Sequence, residues 1–154
     1  MKRLLPAVIG AGAAVVGAAI IINTNPSTLE EKPKPPPETV DQMIARLLPW
    51  VAKTTKLSME NVAVKFVLES QKKLNERYYG DTETRKSKAV ESVVYENRIY
   101  LPDWITPGRD DTIVIVALTH VLQWANRNKI IFISDKARKK HALLTGARYY
   151  AQSR

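Results

Sequence analysis

VVYENRIYLPDWITPGRDDTIVIVALTHVLQ, residues 93–123, is the stretch on which the fold turns. Val90 to Tyr95 and Arg98 to Leu101 read as two strands, joined by a tight turn at Glu96-Asn97. Pro102, Pro107 and Gly108 break the chain after them. Asp110 and Asp111 favour a helix start, because carboxylates complement the positive end of a helix dipole. Ile113 to Leu122 then reads IVIVALTHVL, apolar on nearly every face, which places that helix in the middle of its domain. Thr119, His120 and Gln123 are the polar exceptions. His120 and Gln123 stand three apart and share a face. Buried polar groups need partners, and a backbone carbonyl is the ordinary one for a core histidine.

Working outward, Thr39 and Gln42 fit a capping box, followed by Val40, Ile44, Leu47, Leu48 and Val51 at helical spacing. Pro49 should kink or end that helix near Trp50. Val62, Val64, Phe66 and Leu68 alternate as a strand, Gln71 to Tyr79 forms a short helix, and Gly80 to Lys88 is a polar loop. Downstream, Ile130 to Ile133 leads to a last helix that Ser134 can cap, carried on by Ala137, His141, Leu144 and the Tyr149-Tyr150 region. The fold class expected for residues 40–154 is α+β, a short sheet packed on a buried central helix.

The chain has 154 residues, and the first 39 are of other kinds. Lys2 and Arg3 precede 19 uncharged, mostly apolar residues, Leu4 to Ile22. As a helix these would run about 28 Å, close to the roughly 30 Å of a bilayer core. Residues 1–23 are therefore expected to form a transmembrane anchor, in preference to a cleaved signal peptide, since no Ala-x-Ala follows. Gly10, Gly12 and Gly17 would smooth one face for helix packing. The basic start would keep the amino terminus cytoplasmic and the globular part on the periplasmic or extracellular side. Residues 24–39 carry Pro26, Pro33, Pro35, Pro36 and Pro37, a proline-rich linker in polyproline II.

There is no cysteine. That removes disulfides, thiolate metal sites, thiol catalysis and iron–sulfur clusters. GxGxxG, P-loop and GxSxG patterns are absent, as is a defensible Ser-His-Asp set. The net charge of +9 is concentrated at the end. Residues 127–154 hold eight basic residues against Asp135, so +7 lies there. Arg127, Lys129, Lys136, Arg138, Lys139, Lys140 and Arg148 are the candidate contacts to an anion or partner, whether anionic lipid, a cell-wall polymer or an acidic protein surface. No nucleic-acid motif accompanies them, so nucleic acid is not expected.

Residues 93–123 also resemble small bacterial zincin-like proteins of the HExxH metallopeptidase type, and the likeness of pattern extends over roughly residues 60–150. In that family a strand ends in a Leu-Pro pair, here Leu101-Pro102. An aromatic follows, here Trp104, then a polar loop, here Thr106 to Asp111, then a buried helix carrying His-Glu-x-x-His and often a trailing glutamine. His120 matches the second histidine and Gln123 the glutamine. The first histidine and the glutamate are replaced by Val116 and Ala117. HExxH needs two imidazoles one turn apart for zinc and the glutamate as base. The family's third ligand comes from the next helix, and His141 falls near that position.

The resemblance thus implies a zincin-like domain that has lost its catalytic pair. No catalytic residues or cofactor are expected, with zinc on His120 and His141 as the one metal candidate. The expected role is non-catalytic: a binding or structural component of a membrane-associated assembly, such as a bacterial envelope complex or a membrane-containing phage particle. The alternative is a metal-dependent hydrolase with an altered site on the same two histidines.

Overall fold

The capping signals produce the helices they announce. In the computed structural model, which describes residues 33–80, 88–132 and 134–154, helix α1 spans Val40–Thr55. Thr39 Oγ1 accepts from the Gln42 amide and Gln42 Oε1 accepts from the Thr39 amide, satisfying two N–H groups that a helix start leaves open. Strand β1 (Lys65–Glu69) and helix α2 (Gln71–Tyr79) follow. Next come β2 (Val93–Tyr95), β3 (Arg98–Pro102), α3 (Asp111–Ala125) and α4 (Asp135–Gln152).

The sheet order is β1-β3-β2. β2 and β3 form an antiparallel hairpin, Val93 opposite Tyr100 and Tyr95 opposite Arg98. Glu96 takes a left-handed φ of 58° in its turn. β1 pairs parallel with β3, Lys65 opposite Arg98 through Glu69 opposite Pro102. α2 makes that crossover and is fastened by an ion pair to the buried Glu69: the exposed Arg77 donates to both Glu69 oxygens and lies 3.7 Å over the Tyr100 ring.

α3 is the centre. Val114, Ile115, Ala117, Leu118, Val121 and Leu122 are fully buried. They meet Met43, Leu47 and Val51 of α1, and Ile99 and Leu101 of β3. Burying each large aliphatic side chain favours folding by about 1.5–3 kcal/mol. α4 crosses α3 at close range: a β-carbon on Gly146 would lie 3.0 Å from Val116 Cγ2 and 3.1 Å from Thr112 Cγ2.

Three expectations need correction. The architecture is α+β, with four helices and one three-stranded sheet among the described residues, but the expected membrane-spanning helix is not part of it: no helix among those residues is long and apolar enough to cross a membrane. α3, the most apolar, has 15 residues, short of the roughly 20 a bilayer requires; α4 is longer but carries five cations among its first fourteen residues. The anchor expected over residues 1–23, its packing positions Gly10, Gly12 and Gly17, and most of the linker lie outside the described residues, and the non-cytoplasmic location rested on them. Second, Pro49 does not end α1, which continues to Thr55. Pro49 and Ala45 both face solvent, so the carbonyl deprived of its donor is open to water, while Leu47 and Val51 hold both halves in the core. Third, the inward face of α4 is Ala142, Thr145 and Gly146 rather than Leu144, which is 52% exposed.

Candidate functional site

The two ends of α3 carry different polar assemblies. At its start, Asp111 is 4% exposed. Its carboxylate accepts from Arg46 Nη1 at 2.8 Å and Nη2 at 3.1 Å, from the Tyr149 hydroxyl at 2.7 Å, and from the Gly108 amide at 2.8 Å. Gly108 takes a φ of +85°, a conformation open to glycine, and so turns its N–H toward the carboxylate. Arg46 also donates to Glu38, and the Trp50 ring meets Tyr149 edge-on at 5.1 Å. Burial pushes the Asp111 pKa up, but the hydrogen bonds from Arg46, Tyr149 and Gly108 outweigh it and hold it below the ordinary value. Every oxygen there is engaged within the protein.

Toward the other end lie the two histidines. Thr119 donates to the Ile115 carbonyl within its own helix. Gln123, 3% exposed, joins the rest. Its Oε1 lies 3.0 Å from His120 Nδ1, and its Nε2 lies 3.1 Å from the Arg138 carbonyl and 3.0 Å from His141 Nδ1. A carbonyl accepts only, so the Arg138 carbonyl requires the amide nitrogen of Gln123 on its side. The rest follows by exclusion. Oε1 faces His120, which must donate through Nδ1–H and keep a lone pair on Nε2. The second Nε2 hydrogen faces His141, which must accept at Nδ1 and carry its proton on Nε2. The two imidazoles are thereby set as opposite neutral tautomers by one amide.

Burial biases both rings toward the neutral form. His120 has a lowered pKa, chiefly from burial, with the positive charges of Arg138 and Lys139 and the neighbouring His141 ring adding to it against the Gln123 hydrogen bond. His141 is lowered by burial and by Arg148. Phe132 lies against the His141 ring, 5.6 Å between centroids.

His120 opens onto a cleft of about 780 Å³ between β2, α3 and the approach to α4. Val93, Val94, Val116, Trp124 and Phe132 form apolar walls, and Arg127, Arg138 and Lys139 stand on the same cleft with Glu96 and Asp135. Arg127 stacks 4.4 Å over Trp124. Arg138 pairs with Asp135.

The seven basic residues singled out in the sequence therefore divide. Arg127, Arg138 and Lys139 line the cleft; Lys136, Lys140 and Arg148 are exposed along α4, and Lys129 is exposed after α3. His120 and His141 are brought together, but through Gln123 rather than on a shared point. Ala117 is wholly buried in the core. Val116 lines the cleft and contacts α4 at Gly146. Among the described residues no group of three His, Cys, Asp or Glu side chains converges to hold a metal. The donors do not fit the zinc centre of the resemblance as arranged, because His141 accepts at Nδ1 and so carries its proton on Nε2, and among the described residues no carboxylate completes the set.

Sequence reasoning took Asp111 for a helix-start residue and missed its role as a junction. It also missed Asn126, 5% exposed, whose side chain accepts from the Ser58 amide and donates to the Ser58 carbonyl, pinning the segment after α1 to the end of α3. Neither pairing leaves a local signal, since the partners lie 38 to 68 positions away.

No family model, curated protein or solved structure matches this chain. The zincin resemblance rests on sequence pattern alone, over roughly residues 60–150.

Proposed function

We propose that this chain is a non-catalytic binding component of a larger assembly, its domain a degenerate form of a metallopeptidase-like scaffold. The supporting observation is the use made of the histidines. Gln123 takes up Nδ1 of both rings, and the position of the expected catalytic glutamate holds Ala117, sealed in the core. Without a positioned base, proton transfer loses about 10²–10⁴-fold. The contact surfaces of this reading are the cleft beside His120 and the exposed cations Lys136, Lys140 and Arg148, which suit acidic protein surfaces, anionic lipid or cell-wall polymer. A metal-dependent hydrolase is the second reading, favoured by the convergence of both histidines on one side chain. Elemental analysis of the purified chain, paired with peptide hydrolysis, separates them. The first reading expects no stoichiometric zinc and no turnover. One zinc per chain that disappears in His120→Ala, with hydrolysis that disappears alongside it, would establish the second.

A further inference from the structure

The cleft is lined by a histidine one of whose ring nitrogens the fold leaves unused. His120 Nδ1 is committed to Gln123, so Nε2 is the atom His120 can offer a ligand, and among the described residues no protein group bonds to it. The tautomer argued above makes Nε2 an acceptor. Lys139, without an ion pair among the described residues, lines the same cleft, as does Arg138, which pairs with Asp135. Opposite are aromatic and aliphatic surfaces, Trp124 and Phe132 with Val93 and Val94 of β2. The volume suits a small organic molecule, since ligand pockets run to about 300–1,000 Å³.

The geometry points to this cleft as a binding site for a small organic anion that carries a flat apolar body and one hydrogen-bond donor. The donor goes to His120 Nε2. The anionic group goes to Lys139, with Arg138 behind it, and the apolar body lies against Trp124 and Phe132. A ligand with an acceptor in place of the donor meets the lone pair of Nε2 and is rejected. A cationic ligand is disfavoured, because Arg127, Arg138 and Lys139 outnumber Glu96 and Asp135 on the cleft. This rests on the binding reading above and assigns the chemistry of its ligand.

The probe is 8-anilinonaphthalene-1-sulfonate, which joins an aromatic body, an N–H donor and a sulfonate. Its fluorescence is titrated with the full chain in 0.1 M salt, and the histidine ring resonances are followed in parallel. The chain has two histidines, so one His141→Gln spectrum assigns both. Saturable 1:1 binding that moves the His120 resonances is expected. Lys139 is exposed, so Lys139→Glu leaves the fold intact; it should weaken binding about 10-fold or more, the scale of one charge-assisted hydrogen bond. Lys140→Glu, outside the cleft, should change it by less than about 2-fold. N-phenyl-1-naphthylamine, which keeps body and donor but lacks the sulfonate, should bind at least about 10-fold more weakly. Equal losses in the two lysine variants would overturn the site in favour of the helix face at large. Equal affinity for the neutral compound, no binding, or unmoved His120 resonances would overturn the ligand class. None of these results depends on zinc content or hydrolysis, which decide the underlying reading separately.

Discussion

Helix α3 holds a polar junction near each end, and the two are built on opposite lines. At the amino-terminal end a buried carboxylate collects four donors, and Arg46, Tyr149 and the Gly108 turn are tied into one charged knot. Toward the carboxy-terminal end a neutral amide divides its bonds between two neutral imidazoles and a carbonyl. The knot is saturated: each oxygen of Asp111 has partners, and its purpose is to fix α1, α3 and α4 at one crossing. The amide junction is saturated on its inner side but leaves Nε2 of His120, a cleft-lining residue, without a protein partner among the described residues. Both fasten α3 to α4, so burial of polar groups does not tell them apart. The unspent valence does. A charged centre consumes all its partners because a buried charge without them is costly, whereas a neutral ring can leave one nitrogen unbonded at the edge of a cavity at small cost.

Breaking the charged junction should have the larger effect. Asp111→Ala removes a buried acceptor and strands Tyr149 and the Gly108 amide; a loss of about 3 kcal/mol is expected, the low end for a broken buried pair because Arg46 is partly solvated. Urea unfolding of the variant checks it, and a loss below the error of the midpoint would make the junction ornamental. Gln123→Glu turns the neutral junction into a charged one. Its carboxylate faces the Arg138 carbonyl without a donor, so a smaller destabilisation of about 1–3 kcal/mol is expected. The pKa values of both histidines should rise at the same time, measurable by proton NMR.

The pH dependence separates the two ends. Both histidines have folded pKa values below the ordinary 6.5, so the unfolded chain binds more protons near pH 6 and stability should fall as pH drops from above 6.5. Asp111 is shifted the same way relative to 3.8, but its contribution is intact above that value and is lost only as pH falls through the folded pKa. A urea midpoint that declines between pH 7.5 and 5 in the native chain, and declines less in a His120→Phe, His141→Gln double variant, is the expected pattern; identical slopes would remove the histidines from the account. The finest test costs no stability. Nitrogen-15 shifts of the imidazoles at pH 8 should report Nδ1–H on His120 and Nε2–H on His141, and the exchanged pair, Nε2–H on His120 and Nδ1–H on His141, would mean that Gln123 is turned the other way.

Much of the secondary structure was legible because its causes are local. The Thr39–Gln42 box, the Ser134 cap, the Glu96-Asn97 turn and the unbroken apolar run of α3 act within a few residues, and each element stands close to where those signals put it. β1 was less legible: Val62 and Val64 continue the alternation, yet pairing with β3 begins at Lys65, and pairing depends on the partner. The site was legible only as a suspicion. His120, Gln123 and His141 stood out as residue types, and the resemblance grouped the two histidines, but nothing local foretold that an amide would join them.

What the sequence determined by itself, then, is the set of helices and strands, the burial of α3, the exclusion of thiol chemistry and the concentration of positive charge after residue 126. Only the tertiary structure decided which of those charges share a cleft, that Pro49 rides on a solvent face without ending α1, that Asp111 is a junction, and which nitrogen of each histidine carries the proton. The last depends on a backbone carbonyl fifteen residues away in the chain. A carbonyl accepts and never donates, and the packing of α4 on α3 puts this one within reach of Gln123, so a fact about helix crossing becomes a fact about the chemistry of His120.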